Sequence, residues 1–159
     1  MTDNTLHSKK EVDKYKSGYD AEPFFMLREM FNTTYADHKA ISQTFAQAVS
    51  ALMKIRKWNS SIFTEKTYLD GAIYSRIINN KYENPTFHTV VTICVGLGLD
   101  LRTATKLMAL AGYTFGSPEE HHAYSLLFSA MRGKSIDEWN EFLESISVRK
   151  LGGRERRDI

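Results

Sequence analysis

Apolar positions recur at three- and four-residue steps along most of this chain, and strict alternation is almost absent, so the pattern predicts helices. Pro23 followed by Phe24-Phe25-Met26-Leu27 and Met30-Phe31 predicts a helix with Pro in its first turn and an apolar face. Thr33 or Thr34 is the expected cap of a longer helix carrying Ile41, Phe45, Val49, Leu52 and Ile55, with a break expected near Ser50. Asn59-Ser60-Ser61 forms a cap cluster, with a Ser hydroxyl as the expected acceptor, before a short helix from Ile62 to Lys66. Asp70 is placed to cap a second short helix through Ile73, Tyr74, Ile77 and Ile78, which Asn79-Asn80-Lys81 ends. Thr86 caps Phe87 to Leu97, whose β-branched run Val90 to Val95 resembles a strand by composition. Phe87, Val90, Val91, Cys94 and Leu97 nevertheless fit the helical period. Asp100 opens Leu101 to Ala111 and Gly112 closes it. Ser117-Pro118-Glu119-Glu120 combines a Ser cap, Pro and two first-turn acids before Tyr124, Leu127, Phe128 and Met131, and Gly133 ends that helix. Ser135-Ile136-Asp137-Glu138 reads as a capping box before Trp139, Phe142, Leu143 and Ile146. The fold class is all-α, with about seven helices.

The divisions expected along the chain are a flexible polar leader (1–20), an N-terminal helical extension (21–50), a core (51–113), a C-terminal helical pair (114–148) and a basic tail (149–159). The leader interleaves Lys9, Lys10, Lys14 and Lys16 with Glu11 and Asp13 and holds too few apolar residues to build a core. Its start lacks the apolar region of a signal peptide. The longest uncharged stretch, Asn84 to Leu99, falls short of the roughly 20 apolar residues that cross a bilayer. A single cysteine among 159 residues forms no internal disulfide, which suits a reducing cytoplasm. With 42% hydrophobic and 25% charged residues, this is the composition of one ordinary domain, and no membrane partner is expected.

A net charge of +2 names no partner, but its distribution is uneven. Between Met53 and Asn84 stand six basic residues (Lys54, Arg56, Lys57, Lys66, Arg76, Lys81) and three acidic ones (Glu65, Asp70, Glu83). From Thr103 to Val148 the balance reverses to three basic and six acidic, and the last eleven residues are basic again, with Arg154, Arg156 and Arg157 close together. An anion-binding surface therefore belongs in the middle of the chain.

There, two short helices joined by a tight turn describe a helix-turn-helix, whose second helix enters the DNA major groove. Leu69, Ile73 and Ile77 form its inward stripe, with Tyr74 beside them, and Ala72, Ser75, Arg76 and Asn79 form the outward face. Small residues allow the backbone close to base edges, Arg pairs bidentately with guanine and Asn with adenine. The same pattern also describes a solvated helix carrying ordinary polar residues.

The run from Phe63 to Lys81, with Asn84-Pro85 and Val90 to Leu99, resembles the XRE-like helix-turn-helix class of phage Cro and repressor proteins. Leu107 to Tyr113, Ala123-Tyr124, Ser135 to Glu138 and Asn140 to Leu143 extend the resemblance to helix-turn-helix transcriptional regulators of Firmicutes, over about residues 49 to 148. The resemblance implies a five-helix core that binds double-stranded DNA, usually as a homodimer. By position it assigns base reading to Gly71, Ala72, Ser75, Arg76 and Asn79. It assigns phosphate contacts to Ser60, Ser61, Asn80, Lys81, Tyr82 and Thr86, where helix starts offer backbone N–H groups. The sequence departs from the class at Tyr68, where the turn favours Gly and requires a positive φ, at Tyr74, at Thr64, and at Ile78-Asn79-Asn80. The apolar face around Phe128, Trp139 and Phe142 is the expected dimer surface.

The expected function is sequence-specific transcription regulation, and the alternative is an adaptor that keeps the fold for protein contacts. No enzyme, metal or cofactor is expected. His121-His122 lack the i, i+4 spacing of a metal pair, Gly96-Leu97-Gly98 reads as helix-end punctuation, and Cys94 sits on an apolar face. A cleft joining His88, Cys94 and a carboxylate would instead indicate an enzyme.

Overall fold

The computed structural model describes residues 22–153, and the leader, His7 and the arginines at 154, 156 and 157 lie outside them. Among the described residues the fold is all-helical, with eight helices and no strand. They are α1 (Glu22–Ala40), α2 (Phe45–Ile55), α3 (Ser60–Thr67), α4 (Gly71–Ile78), α5 (Phe87–Gly96), α6 (Leu101–Leu110), α7 (Glu119–Ala130) and α8 (Ile136–Ser145). None of these is long and apolar enough to cross a membrane. The chain forms two compact units, one ending at Tyr35 and one running from Ala36 onward.

The first unit's described part is the beginning of α1, which carries large apolar side chains exposed along several turns. Thr33 and Thr34 do not cap a new helix. They lie inside α1, where their hydroxyls donate to the carbonyls of Glu29 (2.9 Å) and Met30 (2.7 Å), one turn earlier. The cap of the following helix is Thr44, whose Oγ1 accepts from Gln47 N at 3.1 Å while the Gln47 side chain accepts from Thr44 N. From there α2 continues through Ser50 without the expected break, because Val49, Leu52 and Met53 on either side of that position are all held in the core.

The second unit is organised around α5. Its residues Thr89 to Val95 are all buried, so this helix has no polar face and its β-branched run reflects a central position. Leu52 from α2, Phe63 from α3, Leu107 from α6, Tyr124 and Phe128 from α7 and Trp139 and Leu143 from α8 complete one contiguous core. Each such side chain contributes on the order of 2 kcal/mol by leaving water. Gly96 is more than punctuation. A Cβ there would stand 2.7 Å from Thr67 Cγ2 and 3.1 Å from the Lys66 carbonyl, so its absence sets how closely α5 approaches the end of α3.

Three further details depart from the pattern-based expectation. Asn59, rather than a Ser, caps α3 by accepting from Ile62 N at 2.9 Å. Pro118 itself stands at the cap position of α7, and Ser117 makes no side-chain cap there. The basic tail begins as a packed strap: Leu151 is buried, its N and O both pair with the Asn140 side chain (2.7 and 2.9 Å), and Arg149 O accepts from Tyr124 Oη at 2.8 Å.

Candidate nucleic-acid interface

The α3 and α4 helices, eight residues each, are joined by Tyr68, Leu69 and Asp70. Tyr68 closes α3 in the left-handed conformation, φ 56° and ψ 21°, the geometry its place in the turn requires. Two hydrogen bonds, and the room left by a glycine, accommodate this bulky residue in a region that usually admits Gly. Tyr68 Oη donates to Asp137 Oδ2 on α8 at 2.7 Å, Gly153 N donates to Tyr68 O at 3.1 Å, and Gly152 lies so close that a Cβ on it would meet the Tyr68 Cβ at 3.1 Å. The hydrogen bond to Asp137, followed by burial, raises the Tyr68 phenol above its ordinary pKa, so its donation to Asp137 persists further into the alkaline range.

Asp70 then starts α4, its Oδ1 accepting from both Ala72 N (3.0 Å) and Ile73 N (3.1 Å). Leu69, Ile73 and Ile77 are buried, and Tyr74 is partly buried with its ring 5.6 Å from that of Phe63. Gly71, Ala72, Ser75, Arg76 and Asn79 are all exposed. Among the described residues Arg76 makes no ion pair, whereas Asn79 is partly committed, its Nδ2 donating to Ser75 O at 2.9 Å where it closes the helix.

The proposed phosphate contacts separate into two groups. Ser60 and Ser61 in the first turn of α3, Lys81, Asn80, and Thr86 at the start of α5 are exposed. Thr86 Oγ1 accepts from Thr89 N at 3.2 Å, so its hydroxyl serves the helix while the neighbouring backbone N–H groups form the helix start. Tyr82 does not belong with them, because it is only 8% exposed and its ring packs toward Phe45 in the core. A link that spacing alone did not suggest is Thr44 Oγ1 to Asn80 Oδ1, 3.0 Å, which ties the start of α2 to the end of α4. The Thr44/Gln47 box is legible in the sequence, but its partner 36 residues away is not.

The basic segment is also less basic at its surface than its count. Arg56 turns inward to Asp37 and Leu97 O, leaving Lys54, Lys57, Lys66, Arg76 and Lys81 exposed. The apolar face expected to form a dimer surface is consumed internally. Phe128 and Trp139 are 1% exposed and meet edge to face at 4.9 Å, and only Phe142 of that set is at the surface.

Elsewhere, Cys94 is sealed in the core, and burial holds its thiol well above the ordinary range. His121 Nδ1 accepts from Gly116 N at 2.8 Å, and its ring stacks on Phe87 at 4.2 Å. Among the described residues no group of three or more His, Cys, Asp or Glu is placed to hold a metal. Compared with known proteins, the chain matches no family model, no curated protein and no solved structure.

Proposed function

We propose that this chain is a sequence-specific DNA-binding transcription regulator that lays α4 in the major groove. The observation that carries this is the outward face of α4. Ala72, Ser75 and Arg76 are exposed together on a short helix whose other side is anchored by Ile73 and Ile77, so small residues border a free guanidinium. Exposed Ser60, Ser61, Asn80, Lys81 and the start of α5 are the phosphate contacts in this reading, and Tyr82 is dropped from them. The turn also supports it, since Tyr68 keeps the left-handed geometry despite its side chain.

The adaptor reading is favoured by one observation: Ile78, at the end of α4, is 47% exposed and adds an apolar edge to the same helix. Binding of the purified chain to a pool of genomic fragments at several salt concentrations, beside Arg76→Ala, separates the two. Enrichment of a few sequences, weakened by salt and lost in the variant, is the expected result. A folded chain that binds no DNA would overturn the regulator reading in favour of the adaptor.

A further inference from the structure

The basic segment after α8 is built into the second unit over residues 149–153. Arg149 O accepts from Tyr124 Oη of α7, Leu151 is clamped by the Asn140 side chain of α8, Gly152 N donates to Thr92 Oγ1 of α5 at 3.3 Å, and Gly153 N donates to Tyr68 O in the turn. Gly152 runs so close to the end of α3 that a Cβ on it would stand 3.0 Å from the Thr67 carbonyl. These attachments fix the backbone that carries Arg149 and Lys150, both exposed.

Between this strap and the helix-turn-helix lies a notch of about 30 Å³, lined by Leu69 of the turn, Thr86 and His88 at the start of α5, and Arg149, Lys150 and Gly152 of the strap. A small-molecule pocket has roughly 300–1,000 Å³, so the notch suits groups that project from a larger partner. Thr86 is a phosphate contact in the DNA reading, and the strap forms the opposite lip. Among the described residues Arg149 makes no ion pair. After burial, its charge is what most holds the His88 imidazole below its ordinary value, which places it beside the α5 start, while Glu120 lies against His88 Nε2 at 3.4 Å. Lys150 meets Glu144 at 3.7 Å, but these side chains are 56% and 71% exposed, and such a surface pair is readily exchanged for another anion.

We infer that Arg149 and Lys150 are backbone-phosphate contacts of duplex DNA, continuing the row that begins at the start of α5. The inference rests on the DNA reading and extends it past the stretch that resembles the helix-turn-helix class, which ends near residue 148 and assigns nothing to the strap. A duplex carries one phosphate charge per about 1.7 Å of its axis, so a surface that touches one phosphate at the α5 start meets others at its borders. Cations on a backbone already fixed by hydrogen bonds hold them with little further loss of chain freedom.

Fluorescence anisotropy of the full chain at several salt concentrations, on a mixed-sequence duplex and on any fragment enriched from the genomic pool, tests this. Each phosphate contact releases condensed counterions. Arg149→Gln and Lys150→Gln should therefore each reduce the slope of log affinity against log salt by about 1 on every duplex, with the order of preferred sequences unchanged. Thermal midpoint and helix content should stay at the parent's values, because the strap is held through its backbone groups. Arg102→Gln, at an exposed arginine of α6 outside the proposed interface, should leave the slope as it is. A slope unchanged in either strap variant, or lowered equally by Arg102→Gln, would overturn the inference. If the parent shows enrichment that depends on Arg76 while the strap variants keep its slope, only the strap assignment falls. If the strap variants lower the slope but no sequence is enriched, the strap assignment stands and the sequence-specific reading falls. A folded parent that binds neither kind of duplex removes both.

Discussion

The Arg56 guanidinium grips the Asp37 carboxylate in a two-pronged pair, Nη1 to Oδ1 at 2.9 Å and Nη2 to Oδ2 at 2.6 Å, with Asp37 only 1% exposed. Arg56 Nε also donates to Leu97 O at 2.9 Å, so one side chain joins the end of α1, the end of α2 and the end of α5. Removing one member of such a pair leaves a buried charge without its partner, which costs about 3–5 kcal/mol. Arg56→Ala, which strands the buried Asp37 carboxylate, should therefore lower the unfolding free energy by that order in a denaturant titration. Exchanging the two residues for a well-packed apolar pair should cost much less. An Arg56→Ala chain with unchanged stability would show that the pair contributes nothing.

Arg76 stands in the opposite situation, exposed and outside the core. Arg76→Ala should change stability by no more than about 0.5 kcal/mol, as surface substitutions do. In the DNA reading the same change costs about 1–3 kcal/mol of discrimination at one base position. Fragment enrichment and thermal unfolding measured on one preparation check both halves, and a variant that unfolds early would remove Arg76 from the list of free surface groups.

Gly96→Ala tests the approach of α5 to α3. The added methyl would meet the Thr67 side chain at 2.7 Å and the Lys66 carbonyl at 3.1 Å, and only the first of these can yield. Overpacking of this kind costs about 1–3 kcal/mol, more than the helix propensity gained. A lower midpoint in thermal unfolding is the expected outcome. An unchanged or raised midpoint would mean that the crossing is looser than these distances require.

His88 makes stability depend on pH. Its imidazole is held below the ordinary value near 6.5 by burial first and by Arg149 next, with Glu120, whose Oε2 is 3.4 Å from Nε2, pulling the other way. A base that binds its proton less readily when folded makes the unfolded chain the better proton acceptor. Stability is then complete above the ordinary histidine range and falls as pH drops through it toward the lower folded value. Unfolding titrations between neutral and mildly acidic pH should show this decline, and His88→Gln should flatten it. An identical slope in the variant would assign the decline to other groups.

Much of the fold was legible because helices are written locally. Asp70, Thr86 and Ser135 each cap the helix that follows them, and Gly112 and Gly133 take positive φ where two helices were expected to end. Thr33 and Thr34 misled for an equally local reason. A Thr that can cap can also bond its hydroxyl to the preceding turn, and nothing within four residues decides between the two. The outward face of α4 followed from the period, whereas the burial of Tyr82 depended on Phe45, 37 positions earlier in the chain, coming to meet it.

The helical class, the caps at Asp70, Thr86 and Ser135 and the side of α4 that faces the core were all readable from the sequence, since each is set by neighbours one turn away. The tertiary structure decided which basic residues remain at the surface, turning Arg56 inward to Asp37. It also decided that Phe128 and Trp139 belong to the core, and that a tyrosine can hold a glycine's place in the turn because Asp137 and Gly152 meet it there. Those outcomes depend on residues brought together from distant parts of the chain, where burial and pairing energies arise only after the helices have packed.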